Sequence, residues 1–335
     1  MTLRVAINGF GRIGRLVLRA LYEQNNPDIQ VVAINDLSEV ESNAHLFKYD
    51  SIHGRFPGEI KVSGTTMDIG LGPIQVLAHA DPANLPWKEM AIDMVFECSG
   101  RFTSKEKASV HLHQGAKRVL ISAPADGVDR TIVYGVNHDQ LTASDLVVSN
   151  ASCTTNCLAP VAMVLQQAIG IERGYMTTIH AYTGDQRLVD SMHKDLQRAR
   201  AATLSMIPSS TGAARALGLV LPELKGKLDG TAIRVPVANV SLIDFTFTSA
   251  QPTTADAINA AMVKAAEGSL KGVLAVTHEQ LVSCDFNHCP ASSTFDLNQT
   301  QVIDGHFCRV LAWYDNEWGF SNRMLDTARS MARFL

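Results

Sequence analysis

The hexapeptide Gly9-Phe10-Gly11-Arg12-Ile13-Gly14 constrains this chain more than any other stretch. It follows a short apolar run, residues 3–8. It opens a segment in which Leu16, Val17, Ala20 and Leu21 recur at helical spacing. Strand, Gly-x-Gly-x-x-Gly, helix is the context in which this motif signals dinucleotide binding. Gly9 permits the tight turn, Gly11 lets the backbone approach a pyrophosphate, and Gly14 lets helix and strand pack closely. The free N–H groups of the helix N-terminus then face the phosphates. The whole hexapeptide, with Phe10, Arg12 and Ile13, is the candidate phosphate loop. A second apolar run, residues 30–34, ends at Asn35-Asp36. A carboxylate there accepts hydrogen bonds from ribose hydroxyls and repels a 2′-phosphate, so Asp36 predicts NAD rather than NADP.

Further along, residues 43–50 read as a helix and short strands fall around 59–62, 67–70 and 74–78. Residues 93–97 read as a buried strand ending in Cys98-Ser99-Gly100, residues 104–115 as a helix, and residues 117–122 as another strand. Ligands of open α/β sheets lie beyond the carboxyl ends of the strands. Ser99, Gly100 and Ser122 are therefore candidate cofactor contacts, with turn formation as the alternative. His111 and His113, two apart on a helix, do not share a face and do not suggest a metal site.

Ser149-Asn150-Ala151-Ser152-Cys153-Thr154-Thr155-Asn156-Cys157 comes next, followed by an apolar segment of helical length. Asn150, Ser152 and Thr154 can each cap that helix, which places Cys153 in its first turn. There the unpaired N–H groups and the helix dipole favour a thiolate. Cys157, one turn deeper, reads as a packed residue. The alternative is two core cysteines.

Beyond residue 150 the strands lengthen and partly alternate, around 176–178, 232–249, 273–276, 282–286, 295–297 and 307–313. Helices fall at 213–221 and 255–266, and residues 319–335 are helical. This pattern predicts a mainly antiparallel sheet with one face on helices. His180 ends a strand and is a candidate base for the cysteine. Arg187, His193, Lys194, Arg198 and Arg200 concentrate positive charge in one loop, either a solvated or interface surface or, with Arg234 and the Thr211-Gly212 helix start, a phosphate site. Asn316-Glu317 follows a strand end, where a polar pair can orient an amide-bearing ring or simply turn the chain.

The chain has 335 residues, enough for two domains, and a net charge of −4 that gives no reason to expect nucleic acid as the main partner. Its six cysteines show no CxxC pairing, which suits reduced thiols in a cytoplasm. No apolar run reaches the roughly 18 residues of a membrane span. Asn8, Arg12 and Arg15 interrupt any signal-peptide core. The expectation is a cytoplasmic enzyme without a metal.

Taken together, residues 7–15, 149–157, Thr178-Ile179-His180-Ala181, 198–202, 211–214, 221–226, 234–236 and 313–320 resemble the phosphorylating glyceraldehyde-3-phosphate dehydrogenases over almost the full length. The resemblance implies an α/β chain: a Rossmann domain (1–151, rejoined by 315–335) binding NAD, and an α+β catalytic domain (152–314). It implies a homotetramer, with the loop from about 181 to 207 at a subunit interface. It makes Cys153 the nucleophile and His180 its partner. Thr183 and Arg234 would hold the phosphate of glyceraldehyde 3-phosphate; Ser152, Thr154, Thr211 and Gly212 would serve substrate and inorganic phosphate; Asn316 would orient the nicotinamide amide.

Two departures stand out. Gln197 occupies the place where the family usually has an arginine contacting inorganic phosphate, removing a cation. Phe320 replaces a frequent tyrosine, losing a hydroxyl but keeping the ring. The nearest rival reading is erythrose-4-phosphate dehydrogenase, which shares the glycine motif, cysteine segment and histidine; Thr183 and the intact Thr211-Gly212-Ala213-Ala214 favour the glyceraldehyde phosphate reading. A non-catalytic NAD-binding or RNA-binding protein on the same fold is countered by the full Cys153, His180 and Arg234 set.

Overall fold

A computed structural model describes residues 2–335. The chain divides into two compact units. The first runs to Ile132 and adds His138–Ala151 and Ser321–Leu335; the second comprises Val133–Asn137 and Ser152–Phe320.

In the first unit the strand Leu3–Asn8 is central. It pairs in parallel with Ile29–Asn35 on one side and Met94–Glu97 on the other. Ile29–Asn35 continues in parallel to Pro73–Leu77, and the antiparallel hairpin Thr66–Asp68 and Lys61–Ser63 closes that edge. On the opposite side Met94–Glu97 is followed by Arg118–Ile121, Val147–Ser149 and Arg130–Thr131, all parallel. Parallel strands are covered on both faces, and all four residues of Met94–Glu97 and of Arg118–Ile121 are buried. The strand order reverses at Leu3–Asn8, so the crevice at its carboxyl end is the switch point where such sheets bind ligands. The helix Arg12–Gln24 buries Leu16, Val17, Leu18, Ala20 and Leu21, and stops at Asn25 in the left-handed region (φ +48°). Arg329, on the terminal helix Trp318–Ala332, pairs with Asp28 at 2.7 Å and with Gln24 at 2.9 Å.

The second unit is an eight-stranded mixed sheet in the order Ile207–Ser210, Leu228–Val235, Ile171–Ala181, Ser241–Ser249, Phe307–Tyr314, Ser293–Asp296, Leu274–Thr277, with Gln301–Ile303 beside Phe307–Tyr314. Pairing is antiparallel except between Ile171–Ala181 and Leu228–Val235 and between Leu274–Thr277 and Ser293–Asp296. Burial alternates strictly along Ser241–Ser249, the signature of a strand with one packed face. The helix Cys153–Ile169 buries Thr154 through Ala162 without a break.

Three local expectations change. Residues 104–115 form two short helices, Lys105–Ala108 and Val110–His113, because the Ser109 hydroxyl donates back to the Lys105 carbonyl at 2.7 Å. Residues 232–249 split into two strands around Pro236, which has no N–H for a ladder. Residues 282–286 contain a 3-10 turn, Ser283–Phe286, instead of a strand: the Asp285 carboxylate accepts the Val282 N–H at 2.8 Å. Among the described residues no helix is long and apolar enough to cross a membrane.

Candidate active site

The glycine loop borders a cleft of about 270 Å³ in the first unit, whose lining includes Asn8, Gly9, Gly11, Asn35, Asp36 and Ser99. The three glycines do separate work. Gly9 has φ +92°, and a Cβ there would lie 2.5 Å from Ser99 Cα; a Cβ on Gly14 would lie 2.2 Å from the Gly9 carbonyl oxygen. Gly11 has nothing within 4 Å of its Cβ position, so its backbone is open to a ligand. That combination of tight packing behind and open backbone in front fits a dinucleotide pyrophosphate. The Asp36 carboxylate accepts the Phe10 N–H at 2.9 Å and the Ser38 N–H at 3.0 Å, tying the loop to the second strand.

Phe10 is buried and stacks on Phe47, with ring centroids 6.0 Å apart. Ile13 is half-buried. Arg12 pairs with Asp50 at 2.7 Å. Burial alone would raise the Asp50 pKa, but the His53 N–H, the Arg12 guanidinium and the Ile52 N–H together hold it below the ordinary value. Gly100 is exposed at φ +70°. Ser122 donates its N–H to the Glu97 carbonyl at 3.0 Å, and its side chain bonds Cys98, whose thiol is pushed up to about 12 by burial. A larger groove of about 490 Å³, lined by Leu18, Leu21, Ile29, Val31 and Ile74, carries no titratable side chain, so the chemistry lies elsewhere.

In the second unit Ser152 is the cap of the cysteine helix: its Oγ accepts the Thr155 N–H at 3.0 Å. Such a cap stabilises a helix by about 1 kcal/mol. Asn150, another candidate cap, instead accepts the Thr327 hydroxyl at 2.8 Å within the first unit. Cys153 is the first helical residue, and its Sγ lies 3.5 Å from His180 Nε2. Cys157 is fully buried, 3.4 Å from the Ser293 hydroxyl, and burial pushes its thiol up.

Parallel register between Ile171–Ala181 and Leu228–Val235 makes His180 and Arg234 neighbours. Arg234 Nη1 lies 2.8 Å from His180 Nδ1 and donates to the Ala181 carbonyl at 3.0 Å. The same Nδ1 lies 2.7 Å from that carbonyl. These contacts compete: a proton on Nδ1 suits the carbonyl and leaves Nε2 a free base towards sulfur, whereas donation from Arg234 calls for the other tautomer. Burial, and then the charge of Arg234, pull His180 down to about 3.

The Cys153 thiol is pushed up by burial, against the pull of the Arg234 charge and the N–H groups of Thr154 and Cys153. The helix terminus thus acts in the expected direction, but burial outweighs it for the isolated thiol. By exposed surface Cys153 is only half-buried, in contrast to the fully buried Cys157. The two groups also titrate as one unit. Moving the proton from Sγ to Nε2 creates a thiolate and an imidazolium side by side, each stabilising the other.

The remaining candidates fall as follows. The Thr154 and Thr178 hydroxyls each lie 2.9 Å from the buried Tyr314 hydroxyl, whose ring stands edge-on to His180. The Thr183 carbonyl accepts the Gln186 N–H at 2.9 Å in the loop after His180. Arg234 Nε has no partner among the described residues, a buried donor that suits an anion. The Thr211 hydroxyl accepts the Ala213 N–H at 3.2 Å, and Gly212 precedes the helix Ala213–Val220. The cation beside this segment is Arg198, whose Nε and Nη2 reach the Ser209 hydroxyl at 2.8 and 2.6 Å and whose Nη1 meets Asp185 at 2.6 Å. Gln197 is exposed. Asn316 is buried, and its Oδ1 accepts the Ser241 hydroxyl at 2.9 Å, which leaves its amide N–H₂ to donate.

Sequence reading missed Tyr314, Asp185 and Ser209, whose roles appear only in three dimensions. It also missed Asp315, a buried carboxylate that accepts the N–H groups of His288, Glu317 and Trp318 next to Asn316. Among the described residues no group of three or more His, Cys, Asp or Glu is placed to hold a metal ion.

Comparison with known proteins gives the family. Residues 3–105 match the model of the glyceraldehyde 3-phosphate dehydrogenase NAD binding domain, and residues 152–316 match that of the C-terminal domain. A glyceraldehyde-3-phosphate dehydrogenase of Xanthobacter flavus is 65% identical over 333 residues, covering 99% of each chain. One from Cereibacter sphaeroides is 65% identical over the full length of both, and one from Geobacillus stearothermophilus is 54% identical over 99% of each. The chain therefore belongs to the glyceraldehyde-3-phosphate dehydrogenase family, with that family's NAD-binding domain and catalytic domain.

Proposed function

We propose that the protein oxidises D-glyceraldehyde 3-phosphate to 1,3-bisphosphoglycerate, with NAD as hydride acceptor and inorganic phosphate as the second substrate. The observation that carries this reading is Cys153 at the head of its helix, 3.5 Å from His180 Nε2, with Arg234 against the other ring nitrogen.

The thiolate of Cys153 adds to the aldehyde carbon, forming a C–S bond as the C=O π bond opens, and the carbonyl oxygen takes the proton from His180 Nε2 to become a hydroxyl. Arg234, through its unpartnered Nε, and Thr183 hold the substrate phosphate. An anion drawing Arg234 towards it leaves the Ala181 carbonyl as the partner of His180 Nδ1, and Nε2 becomes the base. His180 takes the hydroxyl proton as the hydride leaves the carbon, and a thioester on Cys153 remains. NAD, when bound, supplies the hydride acceptor, with Asn316 donating to its carboxamide. Gly9, Phe10, Gly11, Arg12, Ile13 and Gly14 form its phosphate loop; Asp36, Ser99, Gly100 and Ser122 surround it. Thr154 borders the substrate. Inorganic phosphate, held by Ser152, Thr211 and Gly212 with Arg198 supplying charge, attacks the thioester; the C–S bond breaks and the thiolate is regenerated. Dividing the oxidation from the phosphorylation replaces one difficult step by two easier ones.

The working division is residues 1–151 with 315–335 for NAD and 152–314 for the chemistry. We also read the chain as a cytoplasmic homotetramer without membrane or nucleic-acid partners. All six cysteines are free thiols. In the loop after His180, Leu188, Val189, Met192, Leu196, Leu204 and Met206 are each 72–92% exposed, a density of apolar surface that suits a second copy of the chain. Initial rates with glyceraldehyde 3-phosphate and erythrose 4-phosphate, with NAD or NADP and varied phosphate, test the reading. Phosphate-dependent NADH formation with the triose is expected; phosphate-independent turnover or a preference for the tetrose overturns it.

A further inference from the structure

Behind the dinucleotide cleft lies a chain of buried polar side chains that none of the steps above uses. Glu97, the last residue of its strand, is 1% exposed, and His111 and Trp87 are fully buried. Trp87 Nε1 donates to His111 Nδ1 at 3.1 Å, and His111 Nε2 lies 3.0 Å from Glu97 Oε2. An indole can only donate, so Nδ1 accepts and the ring proton sits on Nε2, aimed at the carboxylate. Asn8 Nδ2 donates to the same oxygen at 2.6 Å. The other oxygen, Oε1, accepts the Ser99 N–H at 2.8 Å and the Ser99 hydroxyl at 2.5 Å. Four donors thus converge on two oxygens.

The bonds then lead into the cleft wall. Asn35 Nδ2 donates to Asn8 Oδ1 at 2.8 Å, and Asn35 Oδ1 accepts the His79 N–H at 2.9 Å. Asn8, Asn35, His79 and Ser99 all line the cleft, whereas Glu97, His111 and Trp87 do not. Ser99 is also the residue against which Gly9 packs, with no room for a Cβ between them. A shift of Ser99 by a few tenths of an ångström is therefore passed to the glycine loop.

We infer that Glu97, oriented by His111 and Trp87, is a positioning residue for NAD: from behind the wall it fixes Ser99, the Asn8–Asn35 pair and, through Ser99, the glycine turn. The inference deepens the assignment of this cleft to NAD and rests on it. A fully satisfied buried network specifies one arrangement, while a half-satisfied one costs more than an apolar core. In Glu97→Gln the amide N–H₂ must face either the Ser99 N–H or the Asn8 and His111 donors, so at least one fixed donor is repelled.

The test is calorimetric titration of NAD into the full-length protein and its variants, with melting temperature and kcat at saturating NAD alongside. Glu97→Gln and His111→Ala should each weaken NAD binding at least tenfold while kcat stays within twofold. His111→Gln, which keeps a side-chain N–H, should recover most of that loss. Trp87→Phe keeps an apolar ring in the core and should weaken binding at least threefold, so it carries the test if the harsher variants do not fold. A fall in melting temperature with NAD affinity unchanged in these variants, or a fall in kcat at unchanged affinity, overturns the proposal. Absence of NAD binding by the unsubstituted protein would overturn the cleft assignment and this inference with it.

Discussion

Replacing His180 by Asn should change when Cys153 becomes a nucleophile. The asparagine retains a polar group near the sulfur but cannot take a proton. In the native protein the imidazolium would stand 3.5 Å from the thiolate. At the effective dielectric constant of about 20 that suits such sites, two unit charges at that separation attract by about 5 kcal/mol. That attraction favours the thiolate–imidazolium pair over the neutral thiol and imidazole, and it is the upper limit of what His180 contributes. Burial works against both charges, and it sets the net effect below that limit. Iodoacetamide is uncharged and reports thiolate without bias from Arg234. Its rate of labelling, followed on the Cys153 peptide by mass spectrometry from pH 5 to 10, should show a reactive plateau at neutral pH in the native protein. In His180→Asn the rate at pH 6.5 should fall roughly 10- to 100-fold and rejoin the native curve in alkali. Native and variant rates within threefold of each other at pH 6.5 would refute the reasoning, as would faster labelling of Cys157.

Three more outcomes follow from the same geometry. In Cys153→Ser the partner of His180 is neutral; a histidine pulled down to about 3 in the fold but near 6.5 unfolded gives stability that is present above 6.5 and lost as pH falls towards 3. Urea unfolding should therefore show Cys153→Ser losing about 2 kcal/mol more than Cys153→Ser/His180→Asn between pH 7.5 and 5; parallel losses would contradict the assignment. Gly9→Ala meets Ser99 Cα at 2.5 Å with φ at +92°, and should cost about 2–5 kcal/mol by melting and abolish tight NAD binding, whereas Gly100→Ala, in open space, should cost about 1 kcal/mol. Arg198→Leu should raise the KM for inorganic phosphate at least tenfold and Gln197→Arg should change it less than threefold; the reverse order would place the phosphate cation at 197.

The fold was legible where a residue's role is local. Gly9, Gly11 and Gly14 announce a turn, an open backbone and a close packing, and the structure assigns one to each. Cys153 was legible because its capping residues lie beside it in the chain. His180 could be named only as a strand-end histidine: its neighbour Arg234 is fixed by parallel register across 54 residues, which no local pattern encodes. The same holds for Glu97, which reads as the polar end of an apolar strand until Asn8, Ser99 and His111 close around it. Gln197 reads as a missing cation, and that Arg198 is the cation next to Ser209 shows only in three dimensions, since in a loop without periodicity the direction of neighbouring side chains is set by partners such as Ser209 and Asp185. Residues 282–286 carry apolar content suited to a strand, yet one carboxylate–amide bond suffices to turn them.

The central claim is that Cys153 carries the acyl group between oxidation and phosphorylation. Mixing the protein with NAD and glyceraldehyde 3-phosphate in phosphate-free buffer, then adding phosphate, tests it most directly. A burst of NADH equal to the Cys153 content, an acyl adduct on the Cys153 peptide, and resumption of turnover with release of acyl phosphate when phosphate is added are the predicted results. Sustained NADH formation without phosphate, or an undiminished burst from Cys153→Ser, would contradict the account.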